Sequence, residues 1–415
     1  MICLLLLLPL LSFCAVTCQY PYDSTHASDR RVDKASLSIV EFNAEWLFLS
    51  NYEKRWSSFA EAERHLDDVA AMLSRIQFDI AVLLEVESCD VLASLKTRLA
   101  DPNLEYYLVP GTDSATGQNV GILTRITPDD PGLFRTSSRA DYPELGPDAN
   151  LCGYSPAEVP SGSSAVSKHA MAYFTLDPPE TGPALPSPLF LVGTHLLAFP
   201  DEKERCIKRQ AQASVLAAEV RERLGEVGGV IVTGDLNDFD GTVLDVRNSQ
   251  PISTVLDQLK DVDEELPGDE LLNAASYVND DQRFTAYYSP GSCRPANLGS
   301  SSIDHVLLSH SYAKHVVSVE MLHDYPPPCA SQGELLSDHW PVRVVLSAVE
   351  TVGLGGNDEA DGDVDGVLAG PDGDQGSGAG IALAAVFIVL ALVGAAALYK
   401  HRRVVRSWYN AYERA

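Results

Sequence analysis

Chemistry in this chain is concentrated where apolar runs stop. Asn43 follows the run at residues 37–42, and Glu85 interrupts the run that begins at Ile80. His195 follows residues 189–194, and Asp235 and Asn237 follow residues 230–234. Asp304 sits inside residues 302–308. Asp338 and His339 precede Trp340, Pro341 and a last apolar run. A carboxylate in an apolar run is costly to bury unless it is paired or bound to a metal. Six such places in one chain point to one shared site. The set holds carboxylates, amides and two histidines, with no cysteine pair. Hard oxygen donors suit Mg²⁺, Mn²⁺ or Ca²⁺ better than zinc. Asp235 and Asn237 are two apart, so in extended backbone they face the same side. Asp338 and His339 are adjacent, so one can turn to a metal and the other to a substrate.

Elements must hold these residues in place. Residues 37–42, 79–86, 120–124, 170–176, 189–194, 229–233, 284–288, 302–308 and 342–346 read as strands. Residues 59–76 carry apolar side chains at Phe59, Ala62, Leu66, Val69, Ala70 and Leu73. That spacing predicts a helix, capped by Ser57 or Ser58. Residues 207–224 read as a second helix. Strands alternating with helices, and polar strand ends, imply a layered α/β sandwich over residues 37–350. No repeat of solenoid period is present.

Several segments together resemble the endonuclease/exonuclease/phosphatase superfamily. They are Phe42-Asn43-Ala44-Glu45-Trp46-Leu47-Phe48, the run from Asp79 to Glu87, Gly193-Thr194-His195-Leu196, Gly234-Asp235-Leu236-Asn237-Asp238, Ile303-Asp304-His305 and Ser337-Asp338-His339-Trp340-Pro341. They stand in the superfamily's order over most of the domain. The resemblance implies a four-layer sandwich of two mixed β-sheets flanked by helices, with the site at one edge. It implies that Glu85 is the main metal ligand, helped by Asn43 and Asp338. Asp235 and Asn237 would orient the attacking water and the phosphate. His339, oriented by Asp304, would act as general base or as a stabiliser of transition-state charge. His195 would bind phosphate or assist the leaving oxygen. The implied cofactor is Mg²⁺, with Mn²⁺ or Ca²⁺ as substitutes. Many members carry Gln before the metal-binding Glu, and here that residue is Leu84. Segments 117–121 and 209–212 also look like superfamily positions, with no catalytic role assigned.

Other polar residues read as structural. Glu87 reads as a surface or supporting acid, and His305 faces away from Asp304 in extended chain. Lys168 and His169 read as a satisfied loop pair rather than a phosphate contact. His310, His315 and His323 read as surface residues.

The formal net charge is −28. Residues 400–415 carry five basic side chains and one acid, so the remainder is more acidic still. Such a surface repels polyanions, although salt screens this over about 8 Å, and no Lys/Arg cluster offers a track for a long nucleic acid. A metal could supply positive charge locally.

Residues 1–18 are apolar and leucine-rich and read as a secretory signal peptide that lacks a charged start. Residues 19–36 are a lead-in. Residues 351–379 form an acidic Gly/Asp-rich linker. Asp361, Asp363 and Asp365 within it imitate the start of a calcium loop without its helices or closing glutamate. Residues 380–399 are uncharged and long enough to span a bilayer, and basic residues follow at once. The positive-inside rule makes the chain a single-pass type I membrane protein, with residues 400–415 cytoplasmic and the catalytic domain extracellular or lumenal. Cys3 and Cys14 would leave with the signal; Cys89, Cys152, Cys206, Cys293 and Cys329 remain, with Cys18 as a sixth if cleavage falls before it, and Cys293 with Cys329 is the favoured pair.

The sequence thus implies a membrane-tethered, metal-dependent hydrolase of phosphodiester bonds, of endo- or exonuclease type. The alternatives are a phosphatase or phospholipase-like hydrolase of lipid or small phosphoesters, and an inactive ectodomain used for binding. The implied partners are a phosphoester substrate and the membrane. No stable protein partner is implied.

Overall fold

A computed structural model describes residues 29–129, 132–143, 152–155, 158–200, 202–263, 270–287, 299–324 and 336–351. The expected signal peptide, most of the linker, the membrane span and the tail lie outside these residues, as do Cys293 and Cys329. Among the described residues no helix is long and apolar enough to cross a membrane.

In chain order the strands are β1 (Ser36–Leu47), β2 (Ile80–Val86), β3 (Glu105–Leu108), β4 (Asn119–Thr124), β5 (Arg139–Asp141), β6 (Ser163–Ala165), β7 (His169–Phe174), β8 (Leu189–His195), β9 (Gly229–Asp235), β10 (Leu272–Asn273), β11 (Ala286–Tyr287), β12 (Ser300–Ser301), β13 (Asp304–Leu308), β14 (Val316–Met321) and β15 (Val342–Ser347). The helices used below are α1 (Phe59–Arg75), α2 (Cys89–Leu99), α3 (Lys203–Arg221) and α4 (Val255–Lys260). One sheet runs β14-β15-β1-β2-β4-β3 and the other β10-β13-β9-β8-β7. Both are mixed: β1 with β2 and β8 with β9 are parallel, while β1 with β15 and β9 with β13 are antiparallel.

Strand periodicity builds the layers. On β1, Leu37 and Ile39 join Ile80, Val82, Leu191, Ile231 and Val306 in the core between the sheets. Val40 and Phe42, on the other face, pack with Leu66, Val69 and Leu92 from α1 and α2. On the far side, Val230 and Val232 pack with Leu216 of α3 and Leu256 of α4. Each sheet therefore buries both faces, which explains the near-continuous apolar runs.

The helix at 59–76 forms as expected. Ser58 accepts the N–H of Glu61, a cap that meets one of the otherwise unpartnered donors of the first turn. Phe59, however, is half exposed, because it stands on the first turn away from the sheet. The sequence reading missed α2, α4, β3, β5, β6, β10, β12 and β14. The strands among these are short or lie at sheet edges, and β14 shows mostly exposed or half-buried side chains with no apolar alternation to read. The lead-in also joins the domain from Asp29. Asp29 and Arg31 are buried as an ion pair at 2.7 Å. The described disulfide is Cys152–Cys206. It ties the loop before β6 to the first turns of α3, a pairing across 54 residues that no local pattern reveals.

Candidate active site

The core between the sheets turns polar at one end. Glu41 and Asn43 continue the inter-sheet face of Leu37 and Ile39 on β1. Asp235 continues Ile231 and Thr233 on β9, and His195 continues Leu189 and Leu191 on β8. Asp304 opens β13 on the face of Val306 and Leu308. Register does the rest. His195 pairs with Asp235 across β8–β9, and Asp235 pairs with Asp304 across β9–β13. Three residues far apart in sequence thus form one row.

Glu85 breaks its strand's parity. By alternation it belongs with Leu83, on the helix side. Instead it adopts φ +60°, and the pairing of β2 slips on both edges, between Asn43 and Leu47 and between Leu83 and Val86. A left-handed glutamate is strained, and here the strain aims the carboxylate into the site. One oxygen accepts the Trp46 N–H at 3.0 Å and the other lies 4.0 Å from His195 Nδ1. Glu45 and Trp46 also have positive φ, so the two strand ends curl together.

The centre is compact. Nδ1–H of His339 donates to Asp304 Oδ2 at 2.8 Å. The other ring nitrogen, Nε2, points into the cluster, 3.9 Å from Asp235 Oδ2, 3.8 Å from Asp338 Oδ1 and 3.5 Å from Asn43 Nδ2. Asn43 Nδ2 donates to Asp235 Oδ2 at 3.2 Å, and His195 Nε2 lies 3.6 Å from the same oxygen. Ser337 ties the last segment down: its hydroxyl donates to Asn43 O and accepts the His339 N–H. Trp340 packs against Phe284 and His323 behind it.

Asn237 is placed differently from the expectation. It lies past the end of β9 in the left-handed region (φ +52°), which Asn tolerates. Its backbone N–H donates to Asp235 Oδ1, and its side chain donates to Leu196 O. The extended-chain argument for a shared face therefore fails, because the strand has already turned. Gly234 (φ +144°) permits that turn. A Cβ there would stand 1.7 Å from Thr194 O.

Charge in this pocket is one-sided. Burial, then Asp304, pushes Asp235 up to about 7. Burial raises Glu85. Enclosure and the neighbouring carboxylates of Glu45 and Glu85 raise Asp338. Glu41 is fully buried, neither carboxylate oxygen has a hydrogen-bond partner among the described residues, and burial and Asp304 raise it far above the usual range. Burial opposes the His339 cation, but Asp304, Asp338 and Asp235 outweigh it, and the imidazole stands well above its ordinary pKa. His195 is driven well below its own, first by burial and then by Lys168, and is neutral. Acids that disfavour one another's ionisation make a place where a hard dication would relieve the repulsion. Glu85, Asp338 and Asn43 supply oxygen donors of the right kind. Asp235, Asp304 and His339 also bring ligand atoms within 4.8 Å of one another, but Asp304 and His339 already bind each other.

The structure therefore gathers Asn43, Glu85, His195, Asp235, Asp304, Asp338 and His339, with Asn237 at the margin. It also places residues that sequence reasoning left without a catalytic role. Glu45 accepts the Asp338 N–H and pairs with Arg55 at 2.6 Å. Gln118 and Lys168 meet at 3.2 Å. Arg209 is fully buried and donates to the carbonyls of Leu197 and Pro200, while Gln212 accepts the Leu197 N–H, so segment 209–212 holds the loop after His195. Glu87 accepts the N–H groups of Leu49, Ser50 and Asn51 and is structural. His305 likewise bonds Asp238 O and Asn273. His315 and His323 are not surface residues. His315 is buried against Ser347 O, and His323 stacks on Phe284 at 3.6 Å.

Several solved structures are similar to this chain at low identity. A family protein from Bacteroides thetaiotaomicron is 21% identical, with 75% of this chain and 97% of that one covered and a TM-score of 0.43. Truncated TDP2 from Caenorhabditis elegans is 15% identical, with coverage of 75% and 97% and a TM-score of 0.44. A mannosyl-6-phosphatase from Bacteroides thetaiotaomicron is 19% identical, with coverage of 74% and 98% and a TM-score of 0.43. No curated protein matches the chain. Residues 55–339, more than half of the chain, match one family as a whole, and this chain belongs to the Endonuclease/Exonuclease/phosphatase family.

Proposed function

We propose that the protein is a divalent-metal-dependent phosphodiesterase of endo- or exonuclease type, displayed on the outer face of a membrane by residues 380–399. The observation that carries the reading is the buried Asp304–His339 pair facing Asp235. Glu85, Asn43 and Asp338 would hold the metal, which when bound neutralises charge on the phosphate and lowers the barrier to attack. Asp235, held by Asn43 and the Asn237 N–H, orients a water and takes its proton as the new oxygen–phosphorus bond forms. His339 enters as imidazolium, because Asp304 holds its proton, and donates from Nε2 to a phosphoryl oxygen as charge develops. His195, neutral between Glu85 and Asp235, contacts the phosphate. The bond to the leaving oxygen breaks, and that oxygen takes up a proton from solvent water.

The test is a panel assay. The full chain in detergent is incubated with Mg²⁺, Mn²⁺ or Ca²⁺ and with DNA, RNA, sphingomyelin and inositol phosphates. Metal-dependent cleavage of nucleic acid is expected. Cleavage of lipid or small phosphoesters alone would select the alternative, and inertness toward all four would overturn the catalytic reading. Protease added to intact cells should shed the domain; complete protection at the cell surface would refute the topology.

A further inference from the structure

Lys168 stands one residue before β7, at the site end of its sheet. Its carbonyl accepts the His195 N–H at 2.9 Å and the Thr194 hydroxyl at 3.3 Å. Its backbone is therefore fixed to the strand that carries His195. His169 turns to the other face of the sheet, where it is buried and its Nε2 accepts the Thr136 N–H at 3.0 Å. Lys168, next in the alternation, turns into the gap between the sheets. There its Nζ donates to Gln118 Oε1 at 3.2 Å, a side chain from the loop before β4 in the opposite sheet. Lys168 is 7% exposed and Gln118 3%.

An ammonium has three donors, and Gln118 occupies one. Among the described residues Nζ has no second hydrogen-bond partner and no carboxylate in ion-pair contact. Burial lowers its pKa, while Glu85, Asp113 and Asp235 at longer range favour the ammonium and Arg205 opposes it. A buried cation with unmet donors is costly. Structural pairing would have brought one of those carboxylates into contact. The amine is instead held short of them, beside His195, by a neutral amide.

We propose that Lys168 is a catalytic residue that donates N–H bonds to the non-bridging oxygens of the bound phosphoryl group, and that Gln118 is the positioning residue that holds its ammonium. The inference rests on the phosphoesterase reading above. Lys168 keeps its protons throughout. It meets the negative charge that grows on those oxygens as the water bond forms and the leaving bond breaks, so its contribution falls mainly on kcat.

The experiment uses the full chain in detergent, with variants Lys168→Met, Lys168→Ala and Gln118→Leu. Hydrolysis of bis(4-nitrophenyl) phosphate with Mn²⁺ gives kcat and KM. Calorimetric binding of inorganic phosphate in Mg²⁺ gives a readout apart from turnover, and a thermal melt reports folding. Lys168→Met should lower kcat by about 10²-fold and weaken phosphate binding by about tenfold. Ethylammonium should restore part of the turnover of Lys168→Ala. Gln118→Leu should lower kcat by roughly tenfold with little change in KM, and the double variant should be no slower than Lys168→Met alone. Unchanged kcat and phosphate affinity in folded Lys168→Met would overturn the proposal. If that variant does not fold, Gln118→Leu decides, because it keeps the buried charge: wild-type kcat and phosphate affinity there would also overturn it. Wild-type protein inert with every metal would sink the phosphoesterase reading instead, and the phosphate titration would still judge Lys168.

Discussion

Replacing Asp304 by Asn tests the centre of the mechanism. The His339–Asp304 bond is 2.8 Å, with the Asp304 side chain fully enclosed. Opposite charges about 4 Å apart interact by roughly 4 kcal/mol at the effective dielectric suited to such sites. Asp338 and Asp235 remain within 4 Å of His339 Nε2 and keep part of the shift. The His339 pKa should therefore fall in Asp304→Asn, because its largest stabilising charge is gone. Turnover should fall by about 10²-fold or more, since the ring loses both its charge and its fixed tautomer. His339→Ala should cost a similar factor, and the double variant little more than either. The stability effect has a definite sign. A histidine whose pKa is raised on folding stabilises fully below its unfolded pKa near 6.5, and that contribution fades as pH rises through the folded value. The melting difference between wild type and Asp304→Asn should thus be largest below about pH 6.5 and shrink in alkali. The assays are pH–rate profiles, an NMR titration of His339 and melts across pH. Full additivity in the double variant, or an unmoved His339 titration in folded Asp304→Asn, would refute the coupling.

Four further outcomes are expected. Chelation should abolish turnover and Mg²⁺ or Mn²⁺ restore it, while Glu85→Gln should raise the metal concentration needed; full activity after exhaustive chelation would contradict the site. Burial holds His65 and His169 near pKa 4. Since such histidines bind fewer protons folded than unfolded, stability should fall as pH drops from about 6.5 toward 4, by up to roughly 3 kcal/mol each, and an acid melting curve unaffected by His169→Asn would dismiss that residue's share. Breaking Cys152–Cys206 should cost about 4 kcal/mol in the chain-entropy account of a loop this long, and unchanged denaturation of Cys152→Ser/Cys206→Ser would reject it. Gly234→Ala should destabilise by roughly 3 kcal/mol and impair turnover by prying β8 from β9; a wild-type melt and rate would show that the backbone yields there.

Period-two alternation made part of this site legible before folding. Asn43, His195, Asp235 and Asp304 each continue an apolar strand face, so their direction follows from the pleat alone. Helix α1 was readable from its cap and spacing for the same reason: both are local. The sequence alone also carries the acidic charge, the two terminal apolar segments and the ordered motifs that mark the family. Tertiary structure decided whatever depends on neighbours distant in the chain. Parity sends Glu85 to the wrong face, and only the slipped pairing with β1 and β4 turns it inward. Asn237 escapes its extended reading because the strand ends at Asp235. Lys168 and Gln118 lie 50 residues apart in opposite sheets, and Cys152 meets Cys206 through the packing of a loop on a helix. Such contacts leave no periodic trace, since their energy comes from enclosure and charge that exist only once the two sheets have closed on each other.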